Sequence, residues 1–201
     1  LAHLRELSRA VEKFKANSGK PVVALASNLS QSQYYFASMA DEILMDPQGF
    51  LFLQGFGSYR SYFKDGLEKL GVDVHLFKVG EYKSAAEPYV RNDMSQEAKE
   101  AGLHYMNDLW DTYLSDISER RQIEVEDLQL FVDEQAQRLI ENKGSVADMA
   151  VDSGLVDAVK KRSFMHKHVA ELASFDDDNN HFRGIAFEDY LTLDTDKSEH
   201  L

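Results

Sequence analysis

Short apolar runs alternate in this chain with segments whose apolar residues return every three or four positions, and that alternation leaves few architectures open. PVVALA (21–26), EILMDP (42–47), FLFLQGF (50–56) and DVHLFKVG (73–80) read as strands, the last with a period of two. Gln48-Gly49 separates the second from the third. The intervening stretches have helical spacing. In LAHLRELSRAVEKFKANSGK (1–20), Leu1, Leu4, Leu7, Val11 and Phe14 share a face that Gly19 and Pro21 bring to an end. NLSQSQYYFASMA (28–40) is a loop feeding a short helix, with Tyr34, Ala37 and Ser38 on one side. YRSYFKDGLEKLG (59–71) is amphipathic through Tyr62, Phe63, Leu67 and Leu70.

Ser95 is the expected N-cap of a long helix to about Arg121, turning Ala98, Ala101, Tyr105, Leu109, Tyr113 and Ile117 inward. A second helical segment is predicted from Val125 to about Asn142. SVADMAVDSGLVDAV (145–159) reads as a short helix stopped by Gly154, then a brief extended stretch. Strands interleaved with helices predict an α/β domain, here residues 1–174. Residues 175–201 read as a connector toward a further half: DDDNNHFRG (176–184) is polar, and FEDYLTLDTD (187–196) is predicted as one more strand. A helix already under way at residue 1, with no cap before it, is the pattern of a longer chain truncated at its N-terminal side.

Charge narrows the partners. Twenty-two Lys and Arg stand against 35 Asp and Glu, a formal net charge of −13 with no basic stripe, so no nucleic-acid partner is expected. The absence of cysteine excludes disulfides and thiolate metal sites. No apolar run approaches the roughly 18 residues of a membrane span.

Most candidate sites have an ordinary reading. DDDNN resembles the start of a calcium loop, but His181 stands where the loop needs glycine and Phe187 where it needs glutamate. His166 and His168 have no third ligand at metal spacing, and read as an exposed, lysine-rich helix end. Glu97 and Glu100 complement a helix dipole. Neither a cofactor nor a metal is expected. Ser30, Ser32, Ser38 and Ser84 are potential nucleophiles, but none lies in a G-x-S-x-G elbow. The base in a distinctive setting is Lys83, just past an apolar run and between Tyr82 and Ser84; an ordinary strand-end lysine is the alternative.

GEYKSAAEPYVRNDMS (80–95) resembles the lysine motif of the signal peptide peptidase A (protease IV) family, in its long two-domain form. KPVVALASNLSQSQYYFASMADEILMDPQG (20–49) resembles the preceding strand, loop and helix of that family's N-terminal half, and GLVD (154–157) its closing turn. The resemblance covers essentially the whole chain. It implies a ββα domain of the crotonase and Clp-protease kind, with Lys83 as general base of a Ser–Lys dyad. Beside that lysine, Tyr82 is an aromatic neighbour and Ser84 is placed to orient the amine, while a salt bridge from Glu87 would hold the proton on. The resemblance also implies apolar remnant signal peptides as substrates, a homo-oligomer (a tetramer by family resemblance), and a place at the periplasmic face of the bacterial inner membrane.

One departure matters. Where the catalytic half of such enzymes carries its serine, in a segment like A-S-G-G-Y, this chain has Gln31, followed by Ser32-Gln33 in place of two glycines. The resemblance therefore implies an N-terminal half that supplies the lysine to a serine in a C-terminal half of the same protein, and that is inactive alone. Two other readings stand beside it. One is a non-catalytic scaffold of the same family; the other is a crotonase-like acyl-CoA enzyme.

Overall fold

A computed structural model describes residues 1–76, 84–177 and 181–192. Helix α1 (Ala2–Ser18) leads into strand β1 (Val23–Leu29), helix α2 (Gln31–Ala37) and strand β2 (Glu42–Leu51). Strand β1 lies parallel to β2, from Val23↔Glu42 to Ala26↔Met45, with α2 as the crossover. Pairing resumes at Asn28↔Phe50 and Leu29↔Leu51, so β2 carries three more residues than its partner across the irregularity.

The runs 42–47 and 50–56, predicted as two strands, are thus one ten-residue strand followed by irregular chain. Pro47 falls in the unpaired interval, where its missing N–H costs nothing. Gly49 makes a bulge rather than a turn: a Cβ there would lie 2.4 Å from the Ser27 carbonyl oxygen. The close approach admits only glycine.

Helices α3 (Lys64–Lys69) and α4 (Glu87–Val90) follow, then α5 (Gln96–Arg121), α6 (Val125–Asp133), α7 (Gln135–Glu141) and α8 (Val146–Asp152). Strand β3 (Ala158–Val159) joins β2 in parallel on the side away from β1, so β2 is central. Its Ile43, Leu44, Met45 and Leu51 are buried accordingly. Ile43, Met45 and Leu51 meet Tyr34 and Tyr35 of α2, Tyr113 and Ile117 of α5, Leu128 and Phe131 of α6, and Met149 of α8 in one core. The architecture is mixed α/β around a small parallel sheet.

Several expectations change in detail. Ser95 caps α5 as predicted, its hydroxyl accepting the Ala98 N–H. Yet only Tyr113, Leu114 and Ile117 of α5 are buried, while Ala101 is exposed and Tyr105 is 64% exposed. Twenty-six residues span roughly 39 Å, and the first half of the helix runs past the core. The predicted 125–142 helix breaks at Glu134, beside which the Gln135 amide binds the Val132 carbonyl. Helix 59–71 shrinks to 64–69, since the Phe63 N–H goes to the Pro88 carbonyl at 2.7 Å. In α1, Leu7 and Phe14 are half exposed and Ser8 is buried in their stead. Residues 73–76 are not strand, and 77–80 lie outside the described residues.

The described part of the tail carries regular structure. After α9 (Arg162–Ala173), strands β4 (Phe175–Asp176) and β5 (His181–Phe182) pair antiparallel and pack on that helix. The strand predicted over 187–196 is, in its described part, helix α10 (Phe187–Thr192). Phe187, Tyr190 and Leu191 have helical spacing, and Glu188 and Asp189 favour a helix start.

Candidate functional site

Gln31, which the resemblance sets in the serine slot, is the first residue of α2. The local sequence sets the helix start. Ser30 accepts the Gln33 N–H, and the Gln33 side chain reaches back to the Ser30 N–H at 2.9 Å, closing a capping box. The Ser30 hydroxyl also donates to Gln33 Oε1 at 2.9 Å and lies 3.4 Å from the Ser32 hydroxyl. The Ser30 hydroxyl is therefore engaged in the cap, with the Ser32 hydroxyl beside it. Ser38 is buried, donating to the Tyr35 carbonyl and accepting from Arg120.

Buried aromatics pin this helix start. Tyr34 donates to the Leu155 carbonyl at 2.9 Å, beside the turn that Gly154 makes at φ +72°. Tyr35 bonds Asp116, and the Arg120 guanidinium lies 4.4 Å from its ring centroid. Tyr113 donates to the Gln31 carbonyl at 2.8 Å. Burial pushes the phenols of all three above the ordinary tyrosine value, aided at Tyr35 by the hydrogen bond to Asp116, and outweighs the opposing pull of the arginines on each. They remain neutral anchors at working pH.

The Gln31 carboxamide makes three hydrogen bonds. Its oxygen accepts the N–H groups of Gln54 at 2.8 Å and Gly55 at 3.0 Å, and its nitrogen donates to the Gly55 carbonyl at 3.1 Å. Just before, the Leu53 carbonyl accepts from Gln135 at 2.6 Å. Two glutamine side chains thus satisfy the backbone of 53–55 as it leaves the sheet. Sequence reasoning missed Gln54, Gly55 and Gln135; the glycine pair Gly55 and Gly57 was the one local signal of an unusual backbone.

Lys83 and Tyr82 lie outside the described residues. Ser84 is described: its carbonyl accepts the Arg60 guanidinium at 3.2 Å and the Glu87 N–H at 3.1 Å. Glu87 is only 3% exposed, and its carboxylate accepts the Ser95 N–H at 3.2 Å and the Ser95 hydroxyl at 2.5 Å. It is turned toward the N-terminus of α5, where a negative charge is favoured. Phe63 and Tyr89 stack with centroids 6.4 Å apart. The arm 54–63 therefore touches both the Gln31 slot and the residues that follow Lys83.

The other candidates are placed plainly. His168 pairs with Glu42, Nε2 to Oε2 at 2.5 Å. That carboxylate lies 126 residues away, beyond any spacing rule, and His168 stands half-buried within α9 rather than at the expected exposed helix end. His166 stands edge-on to Phe182. No group of three metal-ligating side chains occurs among the described residues. Asp178, Asn179 and Asn180 of the calcium-like run lie outside them. Glu97 sits in the first turn of α5, as expected, and Glu100 accepts from Gln96. An apolar cleft of about 790 Å³ opens between α1, the outer edge of β1, and α2, walled by Leu4, Leu7, Val11, Leu25 and Phe36. Among the described residues no helix is long and apolar enough to cross a membrane.

The model of peptidase family S49 matches residues 14–176. Protease 4 of Salmonella typhi is 40% identical over 189 residues, 93% of this chain and 30% of the relative. Protease 4 of Haemophilus influenzae is 39% identical over 95% of the chain and 31% of its own length. The chloroplastic serine protease SPPA of Arabidopsis thaliana is 24% identical over 82% of the chain and 24% of its own length. The chain spans about a third of the length of the Protease 4 relatives.

Proposed function

Because the chain belongs to peptidase family S49, we propose that it acts as the lysine-bearing half of a Ser–Lys endopeptidase whose serine lies in a further half of the same protein. The observation that carries this reading is Gln31. The first residue of the crossover helix, where a nucleophile would stand, is a glutamine bound through its side chain to the 54–55 backbone. The motif lysine then needs a serine from elsewhere, and relatives three times as long leave room for one. The sheet and crossover helix agree with a crotonase or Clp-protease type of ββα domain.

In this mechanism Lys83 works as the neutral amine. About one free lysine in 2,500 is neutral at pH 7, so bringing its pKa from near 10.4 to about 7 means destabilising the ammonium by roughly 4–5 kcal/mol. Desolvation by the closing serine half supplies that. The amine takes the serine hydroxyl proton as the oxygen attacks the peptide carbonyl, and the ammonium returns it to the leaving amine. Backbone N–H groups of the serine half hold the oxyanion. The substrates are apolar signal-peptide remnants, the site is the periplasmic face of the inner membrane, and the working particle is a homo-oligomer.

The test compares the 201-residue chain with the full-length protein, using a serine-directed fluorophosphonate and an apolar peptide substrate. The chain alone is expected to take no label and turn over no substrate, while the full-length protein does both. Labelling with turnover in the chain alone would refute a shared site. Full activity in full-length Lys83→Ala would favour the scaffold reading.

A further inference from the structure

Gln31 does more than fill a vacated slot. Resting on the reading of Lys83 as the base, we infer that Gln31 is a positioning residue for residues 84–92, the segment that follows this lysine.

The argument follows the hydrogen bonds outward from the slot. The main chain of Gln31 is fixed to α5 by Tyr113, and its side chain fixes Gln54 and Gly55 by three bonds. Gly55 has φ +73°, a conformation that redirects the chain away from the sheet. Phe56 then packs edge-on against Trp110 and Tyr113, at 6.1 and 6.3 Å between centroids. Four residues on, Arg60 holds the Ser84 carbonyl, and the Phe63 N–H holds the Pro88 carbonyl. Asp65 and Asn92 close the arm by reciprocal bonds, the Asn92 amide donating at 2.6 Å. Residues 84–92, which follow Lys83, are thus held between this arm and the Glu87–Ser95 contact with α5.

Between Leu53 and Arg60, the arm's polar anchorage to the core among the described residues is the Gln31 carboxamide. Its loss strands two N–H groups of the arm and frees Gly55 to move. A serine in that slot is too short to span the same bonds. Glutamine in the nucleophile position therefore acts as a strut for the segment that follows the base.

The experiment uses the full-length protein and two readouts, backbone amide exchange and the pH profile of peptide hydrolysis. Gln31→Ala is expected to raise exchange about tenfold in residues 52–58 and also in 84–91. It is expected to lower kcat about tenfold with little change in KM, and to move the acidic limb of kcat/KM to higher pH as water returns to the ammonium. Gln31→Glu keeps an acceptor for the two N–H groups and should restore protection in 52–58. Arg60→Ala cuts the link further along, and should loosen 84–91 while leaving 52–55 protected. Exchange that rises in 52–58 alone, or an unmoved acidic limb, would overturn the inference. Should Gln31→Ala not fold, Arg60→Ala decides by the same measurements. Should the wild type prove inactive, the protease reading falls while the exchange data still decide the coupling.

Discussion

Tyr34 ties the crossover helix to the other end of the chain, donating to Leu155 from a fully buried ring. Burial holds its proton in the folded state above the ordinary tyrosine value. The unfolded phenol releases its proton near pH 10, so this stabilisation is complete below that pH and declines as pH rises through it. Tyr113 and Tyr35 act in the same sense. Replacing Tyr34 by Phe is expected to cost about 1 kcal/mol at neutral pH by leaving the Leu155 carbonyl unpaired. It should also flatten, without abolishing, the fall of Tm between pH 9 and 11. Thermal unfolding of both proteins across that range checks this, and an unchanged slope would contradict it. The inward face of Tyr34, Ala37 and Ser38 was legible because helical spacing is local. The partner 121 residues away was not, because nothing local encodes it.

Strand β2 is where element-level reading went furthest astray. Gln48-Gly49 carries the composition of a turn, and a propensity argument sees no difference between a turn and a bulge. Contact with β1 decides it, through the approach of Gly49 to Ser27 and Met45. Gly49→Ala must displace the backbone carbonyl of Ser27, and is expected to destabilise the fold by about 2 kcal/mol. The urea midpoint measures this; a stability within 0.5 kcal/mol of wild type, roughly the range of an unconstrained surface site, would show the bulge can widen freely. Helix α5 teaches the converse. Its cap at Ser95 was legible from the sequence, whereas its length past the core was not, since Ala101 and Tyr105 continue the apolar spacing yet stand exposed. Helix α10 shows how Phe187, Tyr190 and Leu191 satisfy a helix as readily as the predicted strand.

For the whole molecule, the α/β class and the family followed from the interleaving of segments and from the GEYKSAAEPYVRNDMS motif. What the motif could not convey was the occupation of the slot. The three bonds of the Gln31 carboxamide join residues 23 and 24 positions apart, and they make glutamine a built part of the domain rather than a lost serine. This predicts that Gln31→Ser alone creates no peptidase in the 201-residue chain: Ser30 and Gln33 stay committed to the capping box, and Ser32-Gln33 stand where glycines would admit a substrate backbone. The central claim is that Lys83 serves as a neutral base for a serine in another half. Its most direct test is kcat/KM for an apolar peptide in the full-length protein carrying Lys83→Arg. A guanidinium cannot give up its proton, so the activity should fall by about a thousandfold or more, as far as in Lys83→Ala. Activity within about threefold of wild type would mean that this lysine is not the base.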